Sequence, residues 1–571
     1  MEEVKVEIIS KEDIRPSSPT PSHLRIFKHS SLDQIVPVPY VVITLFYTSH
    51  NPYEFQQKLE LLKQSLSETL TQFYPLGGKI KDDISIDCND EGANFVVAKV
   101  NCSLEKFLSK LDLNSLDKFI PIPFFHEASE GDHVTNIQLS VFDCGGIAIG
   151  FCISHRTIDG ESLSTFVKVW TERTGRDRNS KPWTEPNFAA RSLFPTRTLR
   201  FRDLSKEIWG SYFKEGKWAT RRFLFTNSTI ATLKARILEE SSSDPSKNLC
   251  PTRVQIVSAL LWKCFMAVTK AQFGAQKPSE LNHFVNLRRK MEEPMSLNNS
   301  IGNFLWLTSA KHMAEHELDL AGLVTKLSNS IQEIDKDFVA RLQSEEGSSI
   351  MEDSLEKIRE AWLNKGEELE QYLFSSWCNF GHHDADDFGW GKPIWVSSVC
   401  ITTSVHSNTV IFVDTRLKDG IEAWVTLDEK KMKYLESCTE LLAYATVDPS
   451  PLAMEIHKIV DLVESGGTRS FFEQLGDLVL VDRWFRCGDP FDVVRSVFCT
   501  PRLDQLVMKS PRLDALSVVG DASGDSYEIS HDFKRDWTEK EGRNIDLIFH
   551  EAEGKERKNI GFYVPRTLLT L

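Results

Sequence analysis

Glycine-rich cofactor and nucleophile motifs are missing from this chain of 571 residues. It contains no G-x-G-x-x-G of dinucleotide-binding folds, no G-x-x-x-x-G-K of phosphate-binding loops and no G-x-S-x-G of serine hydrolases. Its 11 cysteines are scattered without a C-x-x-C pair. The sequence therefore argues against each of these site types, and against a zinc or disulfide framework.

Acidic residues also outnumber basic residues in this chain. The formal net charge of -15 argues against a general binder of nucleic acid or anionic membranes, while leaving room for a local basic pocket. The chain begins MEEVKVEIIS, which is too acidic for a signal peptide, and we find no apolar run that approaches the length of a membrane span. We therefore expect a soluble cytoplasmic protein that binds neither nucleic acid nor membranes.

A polar turn, SHRTIDG at residues 154–160, places a histidine four positions before an aspartate. The residues before it alternate as in a strand with one apolar face: Ile147, Ile149, Phe151 and Ile153. Side chains two apart share a face of a strand, so we expect His155 on the inner face, where the strand ends. The residues after it have helical spacing: Leu163, Phe166, Val167 and Trp170.

Imidazole is well suited to proton transfer near neutral pH, which makes His155 a candidate base. A core histidine capped by a neighbour is the alternative for a lone residue of this type. Asp159 also has a simpler interpretation, as the N-cap of the following helix. The spacing alone leaves these alternatives open.

The chain is too long for one hydrophobic core, so we expect two or three domains. Strands and helices alternate through both halves. We assign residues 1–189 to an N-terminal domain and 221–450 to a C-terminal domain. Residues 190–220, which have weak periodicity and are rich in Arg, Lys and Trp, are interpreted as a crossover. Residues 451–571 form an extension of unassigned type, with apolar runs that favour a folded segment.

In the C-terminal half of the chain, three local patterns predict secondary structure. HFVNLRR at residues 283–289 indicates a strand, and residues 311–373 are predicted to be mostly helical with a charged, solvated face. Residues 410–427 indicate a hairpin, with a turn at Lys418, Asp419 and Gly420.

A second motif, DFGWG, occupies residues 387–391. In kinases D-F-G binds magnesium, but the other kinase elements are missing, and the nearest His-Arg pair lies more than two hundred residues upstream. The preceding HHDADD is a poor chelating set, because adjacent residues on an extended chain point to opposite faces. We expect no metal site there.

Together, H-x-x-x-D-G and DFGWG at this separation resemble the plant BAHD acyltransferases, which transfer an acyl group from acyl-coenzyme A to an alcohol or amine. The resemblance covers roughly residues 5–445, and within the family it is greatest to the vinorine synthase group, which acetylates alcohols of alkaloids and other specialised metabolites. The supporting strings are PSSPTP, SLDQI, YPLGGK, IDCNDEG, CGGIAIG, VNLRRKM with Gly302-Asn303, SSWC and VDTRLKDGIEAW.

The resemblance implies an α/β fold of two similar chloramphenicol acetyltransferase-like domains, with a channel between them. It implies an acyl-coenzyme A dependent O-acyltransferase that acts on a hydroxyl of a plant metabolite such as an alkaloid or terpenoid. Acetyl-coenzyme A is the expected co-substrate, without a permanently bound cofactor or metal, and a monomer is expected. A catalytically inactive binding protein of the same fold, or an N-acyltransferase, is the alternative.

The resemblance also assigns roles to residues. His155 matches the catalytic base. Ser375 and Trp377 of SSWC are candidates for stabilising the oxyanion; Ser375 stands where the family often has Thr, and it keeps the hydroxyl but lacks the methyl group that restricts the rotamer. Asp159 is expected to pair with Arg288 and to order the turn that ends at Gly160.

Asp387 is a weaker candidate for a second proton acceptor. The DFGWG motif it opens is completed by Phe388, Gly389, Trp390 and Gly391. Its two glycines favour a tight turn, and hence a structural role. The chain has one residue more before the motif than the family's usual spacing, and this insertion could disturb the local packing.

Overall fold

A computed structural model describes residues 3–452 except 38, 49–54, 124–125, 127, 176–183, 197–198, 242–248, 292–296, 298, 314–318, 364–368, 386 and 399–404. Beyond residue 452 it describes four strands. The chain divides into two compact units, residues 1–451 and 452–571.

In the first unit, the strands are β1 (Val6–Ile14), β2 (Ile26–Lys28), β3 (Tyr40–Tyr47), β4 (Lys79–Asp82), β5 (Ser85–Asp87), β6 (Ala93–Val100), β7 (Thr135–Phe142), β8 (Ile147–Ser154), β9 (Lys214–Glu215), β10 (Trp218–Thr226), β11 (Ser279–Asn286), β12 (Leu305–His312), β13 (Glu370–Ser376), β14 (Trp395–Ser397), β15 (Val405–His406), β16 (Thr409–Asp414), β17 (Gly420–Asp428) and β18 (Thr446–Val447).

The α-helices are α1 (Phe55–Gln72), α2 (Leu104–Ser109), α3 (Gly160–Thr174), α4 (Ala190–Leu193), α5 (Leu199–Tyr212), α6 (Asn227–Ser241), α7 (Arg253–Phe273), α8 (Leu320–Gln332), α9 (Lys336–Gln343), α10 (Gly347–Leu363), α11 (His382–Ala385), α12 (Glu429–Leu435) and α13 (Thr439–Leu442). The 3-10 helices are Ser22–Leu24, Tyr74–Gly77, Leu113–Phe119 and Leu287–Lys290.

The first large sheet has the strand order β1-β6-β7-β8-β3-β14. Strand β8 is buried along its whole length and lies between β7 and β3, which explains its run of apolar residues. Helix α3 packs beside α1, and the Trp170 indole donates to the Leu62 carbonyl at 3.2 Å. The predicted strand, turn and helix around SHRTIDG are therefore confirmed, although both faces of the strand are buried rather than one.

The second large sheet has the order β12-β11-β13-β16-β17-β10-β18, with β13 parallel to both β11 and β16. Each face of this sheet is covered by a hydrophobic cluster. The successive residues Leu373 and Phe374 of β13 belong to different clusters, as expected of adjacent positions on a strand. Two sheets covered by helices confirm the predicted α/β class, and β16 with β17 confirms the predicted hairpin.

Strand β14 lies in the first sheet, although its sequence position falls within the predicted C-terminal domain. Its residues Trp395–Ser397 pair antiparallel with β3. Trp395 also stacks on Trp424 of β17, in the second sheet, with ring centroids 5.7 Å apart. The segment that follows DFGWG therefore joins the two sheets.

The predicted crossover at 190–220 contains the 14-residue helix α5, whose buried positions face the second sheet's cluster. One local prediction needs correction. The strand predicted for residues 283–289 ends at Asn286, because the Asn286 side chain accepts a hydrogen bond from the Arg288 amide at 3.0 Å and turns the chain into a 3-10 helix.

Helix α7 also corrects the statement that no segment has the length of a membrane span. Over an 18-residue window of this 21-residue helix the mean hydropathy is 1.3, so the helix is long and apolar enough to cross a membrane. Most of its apolar residues are buried in a hydrophobic cluster on one face of the second sheet, as in the core helix of a globular protein.

In the second unit, the described strands are β19 (Ser517–Gly520), β20 (Tyr527–Ser530), β21 (Gly542–Phe549) and β22 (Lys558–Pro565). They form two antiparallel pairs, β19 with β20 and β21 with β22. The apolar runs IDLIFH and IGFYV contribute to the second pair. The repeated PRLD strings at 501 and 511 lie outside the described residues.

Candidate active site

His155 directly follows the last residue of β8, and Asp159 is the N-cap of α3. The Asp159 carboxylate accepts the Ser162 amide at 2.9 Å, which fixes the first turn of the helix. His155 as a residue is partly exposed, whereas Arg156 and Asp159 are buried. The short turn therefore keeps His155 at the edge of the buried region while its neighbours are anchored.

Asn303 determines how the His155 ring is presented. Its Nδ2 donates to the His155 carbonyl at 2.7 Å and to Oδ1 of Asp33 at 2.8 Å, so both amide hydrogens are used. Its Oδ1 lies 3.1 Å from Nδ1 of His155 and is left as an acceptor. Nδ1 must then carry the ring proton, and Nε2 keeps the lone pair that a general base needs.

Asp33 fixes the Asn303 amide in turn. Oδ1 of Asp33 accepts a hydrogen bond from the Asn303 side-chain amide and a second one, at 2.7 Å, from the Asn303 backbone amide. Its Oδ2 accepts the amide of Ser30 at 2.8 Å and the hydroxyl at 2.7 Å. Burial raises the pKa of Asp33 to about 6, against the lowering effect of its hydrogen bonds to Asn303 and Ser30. The carboxylate is thus held by four donors in a buried site.

The pKa of His155 lies below its ordinary value. Burial lowers the pKa by disfavouring the charged ring, while its own backbone, the Asp159 charge and the Asn303 hydrogen bond act in the opposite direction. The ring is therefore neutral at neutral pH and able to accept a proton.

Asp159 and Arg288 meet in a bidentate ion pair, at 2.7 Å and 3.1 Å, and both side chains are buried. Burial raises the pKa of Asp159, but the Arg288 guanidinium outweighs it, so the pKa is lowered overall. Asp159 accepts the Phe304 amide at 3.1 Å, and Arg288 donates to the Gly302 carbonyl at 3.1 Å. The pair therefore holds both neighbours of Asn303, and it influences the His155 ring through that residue.

The carboxyl end of β13 reaches the same turn through Phe380. The Ser164 hydroxyl of α3 donates to the Phe380 carbonyl at 2.5 Å. A Cβ at Gly160 would lie 2.6 Å from the Phe380 ring, so a larger residue at this position would displace that ring. Ser375 and Trp377, at the end of β13, are both partly exposed. In the described part of the chain, no hydrogen bond joins either side chain to His155.

The DFGWG motif forms a turn whose side chains are divided between solvent and core. Asp387 is exposed, and its Oδ1 accepts the amides of Gly389 and Gly391, each at 2.8 Å. Both glycines have positive φ angles, of 89° and 104°. Phe388 packs edge-on against Trp170 with centroids 4.8 Å apart, and Phe388 also stacks on Trp390 of the motif. Every described contact of this motif is structural, and none reaches His155.

Sequence reasoning missed the roles of Asn303 and Asp33, although both lie in strings that support the family resemblance. Both side chains are buried and hydrogen-bonded, and they come from segments that are far apart in the chain. No group of three or more possible metal-ligating side chains occurs among the described residues. Asp33, Asn303 and His155 thus form a hydrogen-bonded chain at the seam of the two sheets, which ends on Nδ1 of His155.

A family model described as the transferase family matches residues 4–442. Epi-neemfruitin B 7-O-acetyltransferase of Melia azedarach is 42% identical over 462 residues, covering 78% of this chain and 99% of that protein. Limonoid 7-O-acetyltransferase of Citrus sinensis is 42% identical over 465 residues, with the same coverage.

The crystal structure of vinorine synthase is similar with a TM-score of 0.63 and 31% identity, covering 78% of this chain and all of that one. The F. sporotrichioides TRI101 structure, complexed with coenzyme A and T-2, shares the fold at a TM-score of 0.60 and 18% identity, covering 74% of this chain and 99% of its own. On the family match and these relatives, the chain belongs to the BAHD acyltransferases and is a transferase enzyme.

Proposed function

We propose that this enzyme transfers the acetyl group of acetyl-coenzyme A to a hydroxyl group of a terpenoid of the limonoid type. The two relatives at 42% identity are named as 7-O-acetyltransferases of such compounds, and they align over almost their whole length. Relatives at 35% and 34% identity act in alkaloid chemistry by name, as stemmadenine O-acetyltransferase and vinorine synthase. The higher identity favours the limonoid-type alcohol over an alkaloid alcohol.

In the proposed reaction, Nε2 of His155 takes the proton of the acceptor hydroxyl as its oxygen attacks the thioester carbonyl. The tetrahedral intermediate then collapses, the carbon–sulfur bond breaks, and the imidazolium returns the proton to the departing thiolate of coenzyme A. The products are the acetate ester and free coenzyme A, so the histidine ends in its starting state.

The negative oxygen of the intermediate needs donors that are fixed before the reaction. We assign this role to the Ser375 hydroxyl and the Trp377 indole N–H. Their support is their partial exposure at the end of β13, the strand that is linked to the catalytic turn by Phe380.

One observation carries the proposal: the Asn303 amide, fixed by two donated hydrogen bonds, leaves Nε2 of His155 as the free base. The proposed acetyl transfer is tested by incubating the purified full chain with acetyl-coenzyme A and three panels of acceptors: limonoid alcohols, alkaloid alcohols and amines. Free thiol is measured continuously and products are identified by mass.

We expect thiol release and ester formation with limonoid alcohols, and loss of about 10²-fold or more in kcat for His155→Ala. Amide products would assign the enzyme to N-acylation. No thiol release with any panel, from a protein that still binds acceptors, would identify a catalytically inactive binding protein.

A further inference from the structure

Helix α5 of the crossover holds the backbone next to Asp33. Nη1 of Arg202 donates to the Val36 carbonyl at 3.0 Å, and the Ser205 hydroxyl donates to the same oxygen at 3.2 Å. One turn further along, Nε1 of Trp209 donates to the Ile35 carbonyl at 2.9 Å. Three side chains of α5 therefore fix the backbone of Ile35 and Val36, which lie two and three residues after Asp33.

The same helix also reaches the residue next to His155, through Asp83. Arg156 donates to Oδ1 of Asp83 at 3.2 Å and to the Ala128 carbonyl at 2.9 Å. Nε of Arg202 lies 3.7 Å from the same Oδ1 of Asp83, and Lys206 of α5 lies 2.6 Å from Oδ2. Asp83 thus links the helix to the turn that carries the catalytic histidine.

The Asp33 segment and the His155 turn are the two ends of the hydrogen-bonded chain that orients the imidazole. Arg202 is connected to both ends: one guanidinium nitrogen binds the Val36 carbonyl, and another faces the Asp83 carboxylate. We infer that Arg202 is a positioning residue, which sets the distance between Asp33 and His155 and so maintains the contact of Asn303 with Nδ1. The inference rests on the proposed function of His155 as the base.

The geometry of the side chain explains why arginine is needed. The guanidinium is planar and offers donors in fixed, divergent directions, whereas a lysine ammonium is a single point of charge. Arg202 is only 1% exposed, so water cannot replace a lost donor easily. Burial lowers the pKa of Arg202 to about 10, with a further contribution from the Arg156 charge, and the side chain stays charged at neutral pH.

The test compares Arg202→Lys with Arg200→Lys, because both substitutions keep the charge and both lie on α5. Arg200 is 60% exposed and pairs with Glu352 at 2.8 Å and Glu356 at 3.2 Å, away from the catalytic turn. Trp209→Phe, which removes only the donor to Ile35 and keeps a packed ring, is the second variant.

Two readouts are measured on the full chain. The first is kcat and KM for acetyl transfer. The second is the pH dependence of carbethoxylation of His155 by diethyl pyrocarbonate, followed by peptide mass, which reports the pKa of the ring without requiring catalysis. We expect Arg202→Lys to lower kcat about tenfold at unchanged KM for acetyl-coenzyme A, equivalent to about 1.4 kcal/mol.

We also expect the pKa of His155 to fall in Arg202→Lys, since the Asn303 hydrogen bond raises that pKa and its loss removes the effect. Trp209→Phe should move both readouts in the same direction, and Arg200→Lys should match the wild type. The inference is overturned if Arg202→Lys matches Arg200→Lys in both readouts, or if kcat falls with an unchanged pKa of His155. A wild type without acetyl transfer would refute the proposed function, and carbethoxylation would still decide the positioning role.

Discussion

Asn303→Ala is the sharpest perturbation that the site offers. It removes a bond to the Nδ1 proton of His155, a bond to the His155 carbonyl and a bond to the buried Asp33 carboxylate. Neutral hydrogen bonds contribute about 0.5–1.5 kcal/mol and bonds to charged groups about 1.5–3 kcal/mol. The three together amount to about 2.5–6 kcal/mol, shared between stability and orientation of the ring.

We expect kcat to fall about 10²-fold or more, because a histidine with the wrong tautomer or ring orientation loses most of the rate enhancement that a general base provides. The acid limb of kcat/KM should move to lower pH, because burial lowers the pKa of His155 and the Asn303 bond opposes that effect. Asn282→Ala is the matched control. Asn282 is also buried and hydrogen-bonded, to Ser309 and Tyr372 in the second sheet.

The assay is acetyl transfer per folded molecule, with folding checked by thermal melting. The double variant His155→Ala/Asn303→Ala decides whether Asn303 acts through the histidine. If it does, the double variant is no slower than His155→Ala alone. Full additivity of the two losses, or an Asn303→Ala enzyme as active as Asn282→Ala, would refute the reasoning.

Three further outcomes are expected. Asp159→Asn should lower the free energy of unfolding by about 3–5 kcal/mol, since it leaves the buried Arg288 charge unpaired; a variant that melts like wild type but is inactive would make Asp159 a direct catalyst. Asp387→Ala should melt at a lower temperature, yet keep turnover per folded molecule within a few-fold, and complete loss of that turnover would contradict its structural role. A chain truncated after Pro451, which retains the hydrogen bond from Ser450 to the Leu108 carbonyl within the first unit, should keep full turnover, and a folded but inactive truncation would show that the extension contributes to the site.

Much of the site's local framework follows from local pattern. Alternation before His155 and helical spacing after Gly160 are short-range properties of strands and helices, so the sequence places the histidine at the end of a strand without any tertiary information. The motif glycines of DFGWG similarly indicate a turn, because positive φ angles favour glycine. The pairing of Asp159 with Arg288 came from the family resemblance rather than from spacing.

The crossover helix was missed for a physical reason. The apolar face of α5 is interrupted by Arg202 and Ser205, which are buried because they bind backbone carbonyls rather than because they are apolar. Periodicity measures apolar burial, so a helix that buries polar side chains gives a weak signal. Strand β14 lies within the range predicted for the C-terminal domain but pairs in the first sheet, because pairing partners are set by long-range contacts that no local pattern encodes.

The sequence by itself determined the family, the α/β class and the candidate base. Only the tertiary structure decided how that base is oriented, because Asp33, His155 and Asn303 come from three distant segments and meet through directional hydrogen bonds. Such bonds depend on atomic distances of about 3 Å between chain segments. Composition and periodicity constrain which residues are buried, and they carry no information on which buried polar groups face each other.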